Sequence, residues 1–176
     1  LSWGVSTFNR GYKLLMHPTN SAIMFVVTRN GILKTTDGWT TWSTVQSGSF
    51  RDIEFKPNDP ATLYAVTSNT FYRSTDTGSN WGVIGAGLPT GESRIALAVT
   101  PANNNYVYYL AGPSTGVGSF KGIYRSTDSG LTFNAMTTAP NILGYATNGN
   151  DDSDQSWYDL AMAVNPSNED TVLTGG

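Results

Sequence analysis

Cysteine is absent from the 176-residue chain, and histidine occurs once, at position 17. The first absence excludes disulfide bonds and thiolate metal ligands. The single histidine leaves Ser-His-Asp catalysis and histidine-based metal sites without support, because His17 has no recognisable companion nucleophile or ligand. We expect His17 to be a surface or packing residue, and the fold to rest on packing and hydrogen bonds alone.

Charge is also scarce. Charged residues make up 13% of the chain, about half the usual share of soluble domains. The net charge is -3, and lysine and arginine are scattered singly, so the basic footprint of a nucleic-acid-binding protein is missing. No apolar run approaches the ~20 residues of a membrane-spanning helix. The sequence is instead rich in serine, threonine, asparagine, glycine and aromatic residues, which is typical of an all-β, turn-rich protein.

A turn of the form Ser/Thr-x-Asp, followed by glycine and then by an aromatic residue, recurs three times; we call it the Asp turn. The copies are Thr35–Trp42, Ser74–Trp81 and Ser126–Phe133. A proline turn precedes each copy, at Pro18, Pro57 and Pro101. Proline and aspartate are 19 positions apart in the first two units and 27 in the third, where 8 extra residues fall in the loop-like stretch Gly112–Ser119. Insertions of this kind are tolerated between strands.

The repeat predicts the fold class. Each unit reads as four short strands, beginning with an apolar stretch before the proline, and a period of about 40–45 residues is that of a propeller blade. We therefore predict an all-β fold, a β-propeller fragment of about three complete four-stranded blades plus partial blades at the ends. The units are expected at approximately 12–50, 51–92, 93–140 and 157–176, the last incomplete, so that residues 1–176 form one partial propeller. Since a closed propeller takes about 4–8 blades, the expected partners are the remaining blades or domains of the same protein.

The Asp turn has a structural logic of its own. Its carboxylate can accept backbone N–H bonds, its hydroxyl can bond locally, its glycine supplies a positive φ, and its aromatic ring can pack between sheets. The residues to which we assign this role are Asp37, Gly38, Trp42, Ser74, Asp76, Gly78, Trp81, Ser126, Asp128, Gly130 and Phe133. In the first copy the glycine comes one place early and Trp39 takes its expected position, so the geometry of that copy does not follow from the pattern.

These motifs resemble the Asp-box, or bacterial neuraminidase repeat, of sialidases, sortilin-type propellers and xyloglucanase-like glycoside hydrolases. Ser74–Trp81 is a close match, and with the proline turns the resemblance covers most of the chain. In that family the Asp-box is a structural turn on the outer rim, which implies that its three aspartates are not catalytic. The stretch Gln155–Pro166 is similar to propellers of large secreted Bacteroidota proteins, often exported by the type IX system, and this implies secretion or display at the cell surface.

Candidate catalytic residues are few. A glycosidase needs two carboxylates about 5–9.5 Å apart across the sugar. The acids nearest the expected propeller axis are Asp52, Glu54, Glu92 and Asp159. We single out Asp159, because Trp157 and Tyr158 before it suit sugar stacking and the inner strand follows it. Capping or positioning that strand is the alternative role for Asp159, and the favoured one.

The arginines give a second comparison with the family. Sialidases bind the substrate carboxylate with three arginines, whereas only Arg51 and Arg94 fall on inner strands here, so sialidase activity is disfavoured. The xyloglucanase pattern places an aspartate soon after the second strand, and Thr28–Asn30 and Thr67–Asn69 contain no acid. The candidate ligand-binding residues are Arg51, Arg94, Trp157 and Tyr158.

The densest group of oxygen ligands is the loop Asn148–Asp154. Asn150, Asp152 and Asp154 alternate along it, which makes them candidate calcium ligands. The distal glutamate of an EF-hand is missing, so a solvated acidic loop is the favoured interpretation. No other cofactor is expected.

Taken together, the sequence favours a non-catalytic scaffold or recognition module of a secreted or cell-surface protein, binding a glycan or a peptide. Two alternatives remain open. One is a fragment of a xyloglucanase-like or sialidase-like glycoside hydrolase, and the other is a sortilin-like propeller that binds peptides. Neither a nucleic-acid partner nor a membrane span is expected.

Overall fold

The computed structural model describes residues 10–113, 120–151 and 156–175. These residues form three four-stranded antiparallel sheets and one two-stranded sheet, each an up-and-down meander in chain order. The first sheet contains β1 (Gly11–Met16), β2 (Met24–Thr28), β3 (Gly31–Thr35) and β4 (Ser43–Ser47). The second contains β5 (Asp52–Lys56), β6 (Asp59–Val66), β7 (Phe71–Ser74) and β8 (Gly82–Ile84). The third contains β9 (Glu92–Val99), β10 (Val107–Pro113), β11 (Gly122–Ser126) and β12 (Asn134–Thr137).

The fourth sheet consists of β13 (Ala161–Val164) and β14 (Val172–Gly175), and the one-turn helix α1 (Ser156–Asp159) precedes it. The first strands of successive sheets lie against one another, β1 with β5, β5 with β9, and β9 with β13. Four meanders joined in this way are the blades of a β-propeller, with the first strands innermost. The predicted fold class is confirmed. No helix within the described ranges is long and apolar enough to span a bilayer.

The core lies between the blades, because consecutive sheets pack their apolar faces against each other. Phe25, Val27 and Ile32 of the first blade meet Ile53 and Phe55 of the second. Tyr64, Val66 and Phe71 of the second meet Ile95, Leu97 and Tyr109 of the third. Ala96 and Leu110 of the third pack with Leu143, Leu160 and Met162. The inner strands therefore alternate, with one residue facing the preceding blade and the next facing the following blade.

On one face of the first blade, two apolar side chains are exposed, and among the described residues no blade packs on them. Leu14 and Met16 stand four and two positions before Pro18, just as Ile53 and Phe55 stand before Pro57. Ile53 and Phe55 pack against the first blade and are 0% and 9% exposed, whereas Leu14 and Met16 are 62% and 55% exposed. The first blade thus presents the kind of surface that its successors bury.

A basic residue on each third strand links its blade to the next. Lys34 donates from Nζ to the carbonyl oxygen of Thr77 at 2.6 Å and to Ser79 Oγ at 3.0 Å. Arg73, at the matching position of the second blade, donates from Nε to the carbonyl oxygen of Ser129 at 2.8 Å. Thr77 and Ser129 are equivalent residues of successive Asp turns. We call these contacts the forward links.

The third blade makes a variant of the forward link. Arg125 donates from a terminal nitrogen to Asp170 Oδ1 at 2.6 Å, in the turn between β13 and β14. Its guanidinium also lies 4.6 Å from the ring of Tyr106. Each link therefore runs from one blade to the blade that follows it in the chain.

Candidate functional site

The three Asp turns share one hydrogen-bond pattern. In the second blade, Ser74 Oγ donates to Asp76 Oδ1 at 2.8 Å and accepts the Gly78 N–H at 3.0 Å, while Asp76 Oδ1 accepts the Asn80 N–H at 2.9 Å. Ser126, Asp128, Gly130 and Thr132 make the same set in the third blade. Thr35, Asp37, Trp39 and Thr41 make it in the first. The turns join the third and fourth strands, at a distance from the innermost strands.

Two consecutive residues of positive φ sit at the tip of each turn. They are Thr77 (55°) and Gly78 (69°), Ser129 (61°) and Gly130 (78°), and Gly38 (69°) and Trp39 (70°). The first copy therefore adopts the same backbone as the others, with glycine at the first position and tryptophan at the second. A tryptophan in this region is uncommon, and Trp39 Nε1 lies 3.1 Å from the sulfur of Met24.

Hydrogen bonds hold the turn carboxylates in their ionised form. Bonds from the side chain and backbone of Asn80 lower the pKa of Asp76 to about 2. Burial alone would raise the pKa of Asp128, but bonds from Thr132, Ser126 and Leu131 outweigh it and lower the pKa to about 2. The backbone N–H of Thr41, followed by its hydroxyl, lowers the pKa of Asp37. Fully engaged carboxylates of this kind stabilise a turn.

The aromatic residues of the turns differ in burial. Phe133 is 3% exposed and packs in the core between the second and third blades. Trp81 packs against the core between the first and second blades. Trp42 is 41% exposed.

The innermost strands bring six polar residues together, and we call them the axial cluster: Tyr12, Lys13, Arg51, Asp52, Glu54 and Arg94. At its centre, Lys13 Nζ donates to Asp52 Oδ1 at 2.7 Å and to Glu54 Oε1 at 2.6 Å. Asp52 Oδ1 also accepts the N–H of Ile53 at 2.8 Å, and its Oδ2 accepts the N–H of Leu97 at 3.0 Å. Asp52 thus contacts the first, second and third blades at once.

Burial and charge oppose each other in this triad. Burial alone would lower the pKa of Lys13, but the attraction of Asp52 and Glu54 raises it above its ordinary value. Burial raises the pKa of Glu54, and Lys13 offsets part of that rise. The ammonium of Lys13 on the first blade binds two carboxylates of the second and thereby links the two blades. Both acids therefore have a protein partner in the absence of a ligand.

The two predicted ligand-binding arginines lie in the same cluster. The Arg51 guanidinium carbon sits 4.3 Å from the centre of the Tyr12 ring, a cation–π contact. Burial lowers the pKa of Arg94, and the positive charge of Arg51 lowers it further, with Asp52 acting in the opposite direction. The Nε atoms of both arginines are buried without a hydrogen-bond partner.

The other predicted site residues lie on α1. Asp159 is exposed at the end of α1, and within the described residues it forms no ion pair with either arginine. The side chains of Trp157 and Tyr158 lie outside the described residues. The catalytic and ligand-binding roles of Asp159, Trp157 and Tyr158 remain predictions.

Glu92 is a buried carboxylate at the start of β9. It is 6% exposed, its Oε1 accepts the hydroxyl of Tyr109 at 2.9 Å, and its Oε2 has no partner. Burial raises the pKa of Tyr109, and the charge of Glu92 adds to that rise. The pair is enclosed between the second and third blades, next to Tyr124.

Asn150 lines an open groove of about 540 Å³ with Phe120, Pro140 and Asp151. Asp151 Oδ2 accepts the N–H of Tyr145 at 2.8 Å, which ties this carboxylate to its own loop. Asp152 and Asp154, the other two candidate calcium ligands, lie outside the described residues. Within the described ranges, no three acidic or histidine side chains are grouped as a metal site requires.

Sequence reasoning missed Tyr12 and Lys13 altogether. Both lie on β1, whose apolar neighbours Leu14 and Leu15 marked it as a strand without indicating its polar partners. Lys13 and Asp52 both stand five places before a repeat proline. This equivalent position on neighbouring inner strands is the signal that could have predicted their contact.

No protein-family model matches the chain, and no curated protein matches it. Solved structures do resemble it. An ancestral GH74 enzyme superposes with a TM-score of 0.67 at 23% identity, covering 91% of this chain and 21% of the enzyme. The GH74 enzyme of Niastella koreensis gives 0.61 at 22% identity, with 92% and 24% coverage. The GH74 xyloglucanase of Xanthomonas campestris gives 0.63 at 18% identity, with 93% and 26% coverage.

The chain thus spans about a fifth to a quarter of the length of these enzymes. At such identities the likeness is one of fold, and fold alone does not assign an activity. It places the chain among β-propellers and agrees with the sheet topology.

Proposed function

We propose that these blades form a polysaccharide-recognition surface of a secreted propeller protein, and that the ligand binds at the axial cluster. The observation that carries the proposal is the pair of arginines in that cluster. The Nε atoms of Arg51 and Arg94 are buried without a hydrogen-bond partner, and Tyr12 holds Arg51 in place. Convergent polar donors beside an aromatic ring are a common composition of ligand sites.

The contacts that the carboxylates of Asp52, Glu54 and Glu92 make within the protein favour recognition over hydrolysis. Asp52 and Glu54 lie on one strand and share the ammonium of Lys13, so they do not face each other across an open gap. Glu92 is buried against Tyr109. A glycosidase needs one protonated and one ionised carboxylate on opposite sides of the bond it cleaves, and the described residues offer no such arrangement.

The second candidate function is that of a blade set within a glycoside hydrolase. It is favoured by the fold likeness to GH74 enzymes, with TM-scores of 0.61–0.67. In that case Asp159, exposed at the inner-strand end of the fourth blade, would be the acid to test.

Isothermal titration calorimetry with a panel of soluble plant and bacterial oligosaccharides tests the first proposal. We expect binding that Arg94→Gln weakens and that Arg29→Gln, an exposed arginine in the β2–β3 turn, leaves unchanged. Product analysis of the same mixtures tests the second proposal. Release of shorter oligosaccharides by the wild-type chain, abolished by Asp159→Ala, would replace recognition by hydrolysis.

A further inference from the structure

Two guanidinium groups of the axial cluster, those of Arg51 and Arg94, each carry a buried Nε without a hydrogen-bond acceptor. Both side chains are half-buried. Charged side chains withdrawn from water are nearly always paired, because the lost hydration must be replaced. The nearest acid, Asp52, is already engaged by Lys13 and by two backbone N–H groups.

The charges of the cluster do not balance. Lys13, Arg51 and Arg94 face two carboxylates, Asp52 and Glu54, and both carboxylates bind the lysine. The surplus positive charge therefore lies on the two arginines, which repel each other. A neutral hydroxyl would accept a hydrogen bond from either arginine without reducing that repulsion, whereas an anion would do both.

We propose that Arg51 and Arg94 bind the carboxylate of a uronic acid residue, so that the ligand is an acidic polysaccharide. That the ligand is a saccharide rests on the proposed function, and that it carries a carboxylate rests on the arginine pair. A guanidinium matches a carboxylate with two parallel hydrogen bonds. Arg51 is positioned by its contact with Tyr12 before the ligand arrives, which reduces the entropy lost on binding.

The test compares ligands that differ only in charge. Trigalacturonate, its methyl ester and neutral cellotriose are titrated into the 176-residue chain by calorimetry. We expect trigalacturonate to bind at least tenfold more tightly than its ester, and the difference to shrink as salt is added. Arg51→Gln and Arg94→Gln should each remove at least tenfold of the affinity for the acid and weaken binding of the ester by a smaller factor.

Controls separate this inference from the proposed function. Arg29→Gln makes the same change in net charge and should not alter the affinity for the acid. An unchanged circular dichroism spectrum and an unchanged midpoint of urea denaturation report that each variant is folded. If the ester and the neutral saccharide bind as tightly as the acid, the uronate assignment is wrong and the proposed function stands. If none of the three saccharides binds, both are wrong.

Two further ligands decide the source of the carboxylate. Sodium acetate, at an equal carboxylate concentration, should not displace trigalacturonate; displacement would overturn the assignment in favour of any small carboxylate. Triglutamate should bind at least tenfold more weakly than trigalacturonate. Tighter binding of triglutamate would overturn the sugar assignment in favour of an acidic peptide.

Discussion

At the scale of single residues, the Asp turn depends on an ionised carboxylate. Asp76 accepts two backbone N–H groups and the side-chain amide of Asn80. Protonation removes acceptor capacity from all of these contacts. The folded chain therefore binds protons at Asp76 and Asp128 less readily than the unfolded chain does.

Acid should destabilise the protein in a defined range. The pKa of both aspartates is about 2 in the folded chain and about 3.9 in an unfolded one. Because the folded values are the lower ones, the stabilising contribution is complete above about pH 4 and is lost as the pH falls towards 2. Urea denaturation between pH 5 and pH 2.5 should show a falling free energy of unfolding. The Asp76→Asn variant should show a shallower fall, and an identical slope in the variant would contradict this account.

Glycine has two different reasons to be present in the Asp turns. Gly78 has φ 69°, and a Cβ there would lie 2.6 Å from a ring carbon of Phe25. Gly38 has the same φ, but a Cβ there would meet nothing within 4 Å. Gly78, at the second position of its turn, needs both conformational freedom and space, whereas Gly38, at the first position, needs only the freedom.

The two alanine variants should therefore differ. We expect Gly38→Ala to lower the free energy of unfolding by about 1–2 kcal/mol, the cost of a left-handed backbone in a residue with a Cβ. Gly78→Ala should lower it by about 2–4 kcal/mol, because overpacking adds to that cost. Chemical denaturation of the pair measures the difference. Equal losses would mean that Phe25 moves away without penalty.

At the scale of secondary structure, the forward links join each third strand to the following Asp turn. Lys34 and Arg73 occupy the same position, immediately before the serine or threonine of their own turns. Their acceptors, the carbonyl oxygens of Thr77 and Ser129, are also equivalent. A cation at this position is thus part of the repeat, although the motif itself does not include it.

Removing one forward link should loosen the joint between two blades. We expect Arg73→Ala to lower the free energy of unfolding by about 1–2 kcal/mol, since hydrogen bonds from charged donors contribute about 1.5–3 kcal/mol and this one is partly exposed. Arg73→Lys should recover part of the loss, because Lys34 makes the same contact one blade earlier. Urea denaturation gives the values, with Arg29→Ala as the control. A loss of equal size in the control would show that charge, rather than the link, is responsible.

The sequence predicted the elements better than their contacts. The strand around Ile53 and Phe55 was evident because alternation and the following proline are local signals. The one-turn helix Ser156–Asp159 was not predicted, since a single turn has no period to detect. The bond between Lys13 and Asp52 spans 39 positions and depends on how two blades pack, which no local pattern encodes. The arginine pair was anticipated as a candidate from its position on the inner strands, but its missing partners are visible only in three dimensions.

At the scale of the whole molecule, the first blade exposes a face that its successors bury. The positions equivalent to Leu14 and Met16 are apolar in all four blades, and those of the second and third blades pack against the blade before. Exposed apolar faces and sheet surfaces of this kind promote association. We therefore expect the exposed face around Leu14 and Met16 to promote contacts between molecules of the 176-residue chain.

Charge introduced on that face should reduce self-association without loss of stability. We expect Leu14→Lys to shift the 176-residue chain towards monomer in sedimentation velocity experiments at increasing concentration. Its free energy of unfolding should stay within about 0.5 kcal/mol of the wild type, as is usual for exposed positions. Ile53→Lys, the equivalent change at a buried position, should prevent folding. An unchanged sedimentation profile for Leu14→Lys would place the contact elsewhere.

Arrays of repeats are usually held together pairwise, each unit supporting only its neighbours, so that such arrays can come apart one unit at a time. Asp52 departs from that scheme. Its carboxylate, carried on the second blade, takes a bond from Lys13 on the first and another from the backbone of Leu97 on the third. This adds a second-neighbour coupling to the chain of pairwise ones. When the first blade detaches, Asp52 loses the ammonium that fixes its carboxylate, which weakens its bond to the third blade. We therefore expect the unfolding of these three blades to be coupled.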